Sequence, residues 1–159
     1  LRPFGDLLEL SGFAGFEDAE HVATCVLGAE KEHGFFRQAM ELYEGRTFLR
    51  EGGEPDLTTN VEILTGLLGR NGLEPDGARQ SVMGMEIFPA EYFSPRSLET
   101  GKLTKTGNTY AIHWFEASWQ TGSQRFHRKV AQVIGKKNTE RLKKLLGRSG
   151  GPESSGRSG

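Results

Sequence analysis

The sequence predicts a mixed α/β or α+β domain, and three observations carry that reading. Short apolar runs such as Val22–Leu27 and Gln80–Phe88 read as buried strands. Between them lie segments with helical apolar spacing, above all Val61, Leu64, Leu67 and Leu68. The chain has 159 residues and a mass of 17.6 kDa, with 35% hydrophobic and 26% charged residues and a mean hydropathy of −0.51. That suits one globular domain with a polar tail, not a disordered or fibrous chain.

The elements follow in order. Residues 1–17 read as a loop, a short helix and then a strand, in which Gly12-Phe-Ala-Gly-Phe-Glu17 alternates small and aromatic residues. Val22–Leu27 is β-branched and short, as a buried strand would be. His33–Glu44 places Phe35, Ala39, Leu42 and Tyr43 on one helical face. Gly52-Gly-Glu-Pro55 is a turn. Thr59-Asn-Val-Glu62 has the spacing of a capping box, so a helix starts there, and Gly72 ends it. Gln80–Phe88 is expected to be a single strand closed by Pro89, and Thr109–Phe115 a third strand after the polar loop from Ser94 to Gly107. Phe126–Leu146 reads as an amphipathic helix with Phe126, Val130, Val133, Ile134, Leu142, Leu145 and Leu146 inward and basic residues outward. The Gly/Ser-rich end, residues 148–159, is expected to be disordered.

Composition excludes several classes. No run of about 18 apolar residues exists, so no transmembrane helix is expected, and no signal peptide opens the chain. The opening Leu1-Arg-Pro-Phe4 reads as the interior of a longer protein. The single cysteine, Cys25, rules out an intramolecular disulfide and a multi-cysteine zinc site; it reads as a buried structural thiol in a reducing compartment. The net charge of −1 hides an asymmetry. Residues 1–119 hold 10 Lys/Arg against 19 Asp/Glu, and residues 120–159 hold 10 against 2. A basic segment behind an acidic body predicts contact with something anionic, a membrane surface or an acidic partner. Nucleic acid is not expected, because the body repels phosphate.

The densest group of chemically capable residues is Asn108-Thr-Tyr-Ala-Ile-His-Trp-Phe-Glu-Ala-Ser-Trp119. An imidazole can ligate a metal, a carboxylate can ligate or act as a base, and hydroxyl and indole groups can donate to phosphate oxygens. From the residues alone, His113 and Trp114 serve equally as packing groups and Glu116 as a solvated acid. Asp56-Leu-Thr-Thr59 precedes a helix N-terminus, which suits either capping or an anion. His21 and His33 lack metal-ligand spacing and read as surface histidines. Tyr92 and Phe93, between Pro89 and Pro95, read as loop packing.

Four segments occur in order: Gly15-Phe-Glu17, Gly28-Ala-Glu-Lys31, Met85-Glu-Ile-Phe-Pro-Ala-Glu-Tyr-Phe-Ser-Pro95, and Asn108-Thr-Tyr-Ala-Ile-His113 followed by Ser118-Trp119. Together they resemble the DXD-containing sugar transferases of the capsular-polysaccharide type, the family that includes the initiating α-1,6-mannosyltransferases of yeast. The resemblance spans roughly residues 1–120. It implies a GT-A fold, a Rossmann-like α/β domain, of which residues 1–120 would be the C-terminal part and 121–147 a basic helical extension. It implies a hexosyltransferase working in surface or capsular polysaccharide synthesis. Its partners would be a nucleotide-sugar donor, a glycan or lipid-linked acceptor and a divalent cation, Mn²⁺ or else Mg²⁺. The setting would be cytoplasmic, with peripheral contact at the inner membrane face.

Carried over residue by residue, the resemblance gives His113 the metal, Glu116 a catalytic role, and Ser118, Trp119, Asp56 and Thr58 the donor. Residues around Thr24 to Leu27 would line the sugar pocket. The family's metal-binding D-x-D is missing: the only aspartates are Asp6, Asp18, Asp56 and Asp76. The chain alone is therefore expected to be inactive. The alternative is a non-catalytic carbohydrate-binding or regulatory domain that lacks the metal site.

Overall fold

In the computed structural model, residues 1–98 and 100–115 are described; Glu116, Ser118, Trp119 and the expected helix at 126–146 lie outside them. The chain divides into two compact units, Leu1–Ser97 with Leu103–Trp114, and Leu98–Lys102 with Phe115–Gly159. In the described part of the second unit, the Lys102 backbone N–H donates to Thr100 Oγ1 at 3.3 Å.

The first unit is built on a mixed four-stranded sheet: β1 (Gly12–Gly15), β2 (Gly28–Ala29), β3 (Gln80–Val82) and β4 (Met85–Phe88), in the order β2-β1-β4-β3. The central pair, β1 and β4, is parallel, with Phe13, Ala14 and Gly15 opposite Glu86, Ile87 and Phe88; both outer pairs are antiparallel. A parallel pair needs a crossover, and it contains α1 (Gly34–Glu41) and α2 (Asn60–Arg70).

Side chains alternate across a strand, and here the alternation sorts the core into two layers. Ala14, Met85 and Ile87 face the helices, where Phe35, Ala39, Leu64, Leu67 and Leu68 cover them. Phe13 and Phe88 face the other way, into an aromatic layer with Leu7, Phe93 and Tyr110. Among the described residues no α-helix or further strand covers that second layer. It is made by the short 3₁₀ helix Gly5–Glu9, the turn Ala90–Tyr92 and the stretch around Tyr110.

The helices expected within 33–44 and from Thr59 to Gly72 form. Thr59 Oγ1 accepts from the Glu62 N–H at 3.2 Å, and the Glu62 carboxylate accepts from the Thr59 N–H at 2.7 Å, so the capping box is complete. At the other end Gly72 takes φ +98°, and the Leu73 and Gly72 N–H groups bond the Leu68 and Gly69 carbonyls, a Schellman motif. In α1, Phe35 and Ala39 are buried, but Tyr43 is exposed and beyond the helix end. His33 is not a surface histidine. It is the N-cap of α1, 8% exposed, and its Nδ1 accepts from the Phe35 N–H at 3.2 Å.

Three expected strands differ. Val22–Leu27 contributes only a bridge between Val22 and Phe16, and the strand at this edge is Gly28–Ala29. The reason is close approach: a Cβ on Gly28 would lie 2.3 Å from the Phe13 ring, so only a glycine lets the backbone reach β1 over that ring. Gln80–Phe88 is a hairpin, not one strand. Met83 and Gly84 take φ of 55° and 78°, the double positive φ that a two-residue type I′ turn requires. Thr109–Phe115 forms no ladder. Tyr110 and Ala111 both donate to the Tyr92 carbonyl, at 2.8 and 3.2 Å, and a turn rather than a strand edge receives them.

Candidate functional site

Apart from Ser118-Trp119, which lies outside the described residues, the four segments singled out in the sequence lie around β1 and β4. Gly15-Phe-Glu17 leaves the end of β1, and Gly28–Ala29 is β2, paired with the start of β1. Met85–Phe88 is β4, whose Phe88 carbonyl accepts from Phe16 at 2.8 Å. The Asn108–His113 stretch then lies along the turn that follows β4.

The last contact explains most of that stretch. Asn108 Nδ2 donates to the Glu91 carboxylate at 2.8 Å, Thr109 Oγ1 donates to the Glu91 carbonyl at 2.9 Å, and Tyr110 Oη donates to Asp6 Oδ2 at 2.6 Å. Thr109 and Tyr110 are both buried, and the Arg2 guanidinium sits over the Tyr110 ring. These three residues are braces, tying the stretch to the Ala90–Tyr92 turn and to the N-terminal segment. His113 is what the braced stretch delivers. Its N–H donates to the Phe93 carbonyl at 3.2 Å. Burial lowers the imidazole pKa, which favours the neutral ring at neutral pH, the form that can ligate a metal. Among the described residues no group of three or more His, Cys, Asp and Glu side chains is placed to hold a metal ion.

Asp56 and Thr58 are brought together, but with structural partners. Asp56 Oδ1 accepts from the Thr58 hydroxyl at 2.7 Å and from Arg50 at 3.0 Å, while Oδ2 meets Arg46 at 2.5 Å. These bonds hold its carboxyl far below the usual carboxylate range. The carboxylate closes the loop between α1 and α2, beside the Leu49–Pro55 bridge. It does not cap α2, which Thr59 does. Of the expected pocket-lining residues, Cys25 and Val26 are partly buried against the aromatic layer. Cys25 Sγ lies 3.4 Å from the buried Ser94 Oγ, and burial raises the thiol pKa, with the Glu17 charge adding to the shift, so it is no ready nucleophile.

Glu17 is the residue that sequence reading passed over. It stands where β1 ends, at the carboxyl end of the parallel pair. Its backbone N–H donates to the His21 carbonyl at 2.7 Å, closing a tight turn in which Asp18 Oδ1 accepts from Glu20 and His21. The Glu17 side chain is half-buried, and among the described residues no donor is bonded to its carboxylate. Burial, then the Asp18 charge, raises its pKa, with His21 opposing. The available signal was positional: an acid directly after a strand end.

Comparison with family models, with curated proteins and with solved structures finds no match. No helix among the described residues is long and apolar enough to cross a membrane.

Proposed function

We propose that this chain is part of a nucleotide-sugar-dependent hexosyltransferase of GT-A type, acting in surface polysaccharide synthesis. The observation that carries the reading is that the described parts of the family-like segments lie together around β1 and β4. They are scattered along the sequence, yet Phe16 bonds to Phe88, Tyr110 and Ala111 bond to Tyr92, and Gly28–Ala29 pairs with β1 at Gly12 and Phe13. The carboxyl end of a parallel strand pair is also where open α/β sheets bind ligands.

In this reading His113 offers a neutral imidazole as one ligand to Mn²⁺ or Mg²⁺, and Glu116, Ser118 and Trp119 follow it in sequence toward the donor diphosphate. The bound cation would supply Lewis-acid neutralisation of the charge that develops on the leaving diphosphate. Asp56 and Thr58 shape the loop before α2 instead of holding the donor. The acceptor would be a glycan or lipid-linked saccharide, and the basic segment 121–147 would favour the anionic cytoplasmic face of a membrane.

The test is hydrolysis of UDP-glucose, UDP-galactose and GDP-mannose by the full-length protein with and without Mn²⁺. Cation-dependent hydrolysis of one donor is expected, and His113→Ala should lower it by about tenfold or more, the scale of losing one metal ligand or its orientation. Hydrolysis of none of them overturns the proposal. Sugar binding without turnover would favour the non-catalytic alternative. An unchanged metal dependence in His113→Ala removes that residue from the cation site.

A further inference from the structure

The His33 ring joins the start of α1 to the β3–β4 turn. It is the N-cap of α1 and is 8% exposed. Nδ1 accepts from the Phe35 N–H at 3.2 Å, and Nε2 lies 3.4 Å from the Gly84 carbonyl oxygen. The first bond fixes the tautomer. An accepting nitrogen carries no hydrogen, so the one ring proton of a neutral imidazole is on Nε2 and faces Gly84. The neutral ring thus serves a helix N–H beside it and a carbonyl 51 residues away in the chain. The space around Nε2 is tight: a Cβ on Gly12 would lie 3.2 Å from it, and one on Gly84 3.1 Å.

A second proton breaks this arrangement at one atom. Imidazolium carries hydrogen on both nitrogens, so Nδ1 would meet the Phe35 N–H as donor against donor. The positive ring would also stand at the N-terminus of α1, where the helix dipole is itself positive. Nothing facing the ring offsets that charge. Gly12 of β1, Gly84 of the turn and the Phe36 ring of α1, 6.5 Å away between centroids, border it, with Met85 Sδ of β4 beside Gly12. None of these ionises. The charged groups of the same elements are engaged or exposed. Lys31 and Glu32, which precede the ring, pair with each other at 3.7 Å, and Glu86 of β4 pairs with Arg79 at 3.0 Å. Glu30 before the cap and Arg37 and Glu41 of α1 are exposed. Among the described residues no carboxylate is bonded to the His33 ring.

We propose that His33 is a proton-released latch: uptake of a proton at Nδ1 uncaps α1 and frees its N-terminus from the β3–β4 turn. The device stands apart from the glycosyl-transfer reading and needs no ligand. Its effect is local at first. Phe35 and Ala39 are the residues by which α1 covers Met85 and Ile87 of the sheet, so release uncovers that side of the core. The α2 cap, made by Thr59 and Glu62, contains no histidine. The sign follows from the neutral ring: the latch is closed above the ordinary imidazole value of about 6.5 and opens as pH falls below it.

The experiment measures amide hydrogen exchange by NMR on the full-length protein at pH 7.5 and pH 5, corrected for the intrinsic pH dependence of exchange. The opening equilibrium of the α1 amides should rise by about 30-fold between the two, the ratio expected when only the open state takes the proton. The α2 amides should change by less than threefold. His33→Asn keeps an N-cap oxygen that does not titrate in this range, and in it the rise at α1 should disappear. An α1 response below threefold in the unmodified protein overturns the proposal, as does an equal response at α2 or one that persists in His33→Asn. Nitrogen chemical shifts of the His33 ring in the unmodified protein decide the matter if the variant does not fold. The Nε2–H tautomer is expected at pH 7.5, with proton uptake and loss of α1 protection occurring together. The Nδ1–H tautomer, or proton uptake with α1 protection unchanged, refutes the latch.

Discussion

Gly15 sits at a point of β1 that has no room for a side chain. A Cβ there would lie 2.5 Å from Phe93 Cδ2, 3.3 Å from Cε2 and 3.4 Å from the Phe88 carbonyl oxygen. Its φ is not positive, so the backbone itself would accept alanine, and in open space Gly→Ala would stabilise by about 0.4–1 kcal/mol. The contact reverses that sign. Phe93 has no exposed surface and is boxed in by Phe13, Phe88, Tyr92 and Tyr110, with ring centroids 5.8–6.4 Å away. It cannot swing aside without displacing a ring. Forced overpacking of a filled core costs about 1–3 kcal/mol.

Gly15→Ala should therefore lower the thermal midpoint by roughly 4–12 °C, taking about 4 °C per kcal/mol for a chain of this size. The assay is thermal unfolding followed by far-UV circular dichroism. Phe93→Leu in the same background should recover part of the loss, because it removes the atoms the new methyl meets. A double-mutant cycle would then show a favourable coupling between the two substitutions. A midpoint equal to or above that of the unmodified protein refutes the packing account, as does additivity of the two changes. Because the Phe93 carbonyl accepts from the His113 N–H, the same displacement would reach the candidate metal ligand. Gly15→Ala should thus lose cation-dependent activity at temperatures where it is still folded.

Two further outcomes follow from the α2 region. Thr59→Ala removes one half of the capping box and should cost about 1 kcal/mol, read as a lower urea midpoint with an unchanged m-value; no change would mean that α2 does not rely on its cap. Asp56→Asn tests the loop clamp by pH. The folded carboxyl pKa is held down by the Thr58, Arg50 and Arg46 bonds, so its stabilisation is complete above the unfolded value of about 3.9 and fades as pH falls below it. The difference in thermal midpoint between the unmodified protein and Asp56→Asn should accordingly shrink between pH 6 and pH 2, and a constant difference would reject the clamp.

The local signals were reliable where a few neighbouring residues decide the structure. Thr59 and Glu62 specify a helix start by themselves, because both bonds of the box lie within four residues. Gly72 likewise specifies the stop, and the apolar spacing of Leu64, Leu67 and Leu68 specifies the buried face. His33 misled for the opposite reason. Its ring caps α1 locally, yet its burial comes from Gly12 and Gly84, whose missing side chains leave room for it from 21 and 51 residues away. Met83-Gly84 gave a weak turn signal, since methionine is not a usual residue at positive φ.

The candidate site divides in the same way. His113 stood out by residue type and by its neighbours in the chain, and its role as one metal ligand is a proposal that the sequence alone could frame. Glu17 was visible only as one acid among many. What distinguishes it is half-burial at the end of β1, and burial depends on chain segments remote in sequence. Capping, periodicity and charge balance are sums over near neighbours, so the amino-acid order determines them directly. The parallel pairing of β1 with β4, the aromatic layer behind it and the exposure of each acid depend on contacts about 70 to 100 residues apart. Only the closed tertiary structure, in which those contacts form together, decides them.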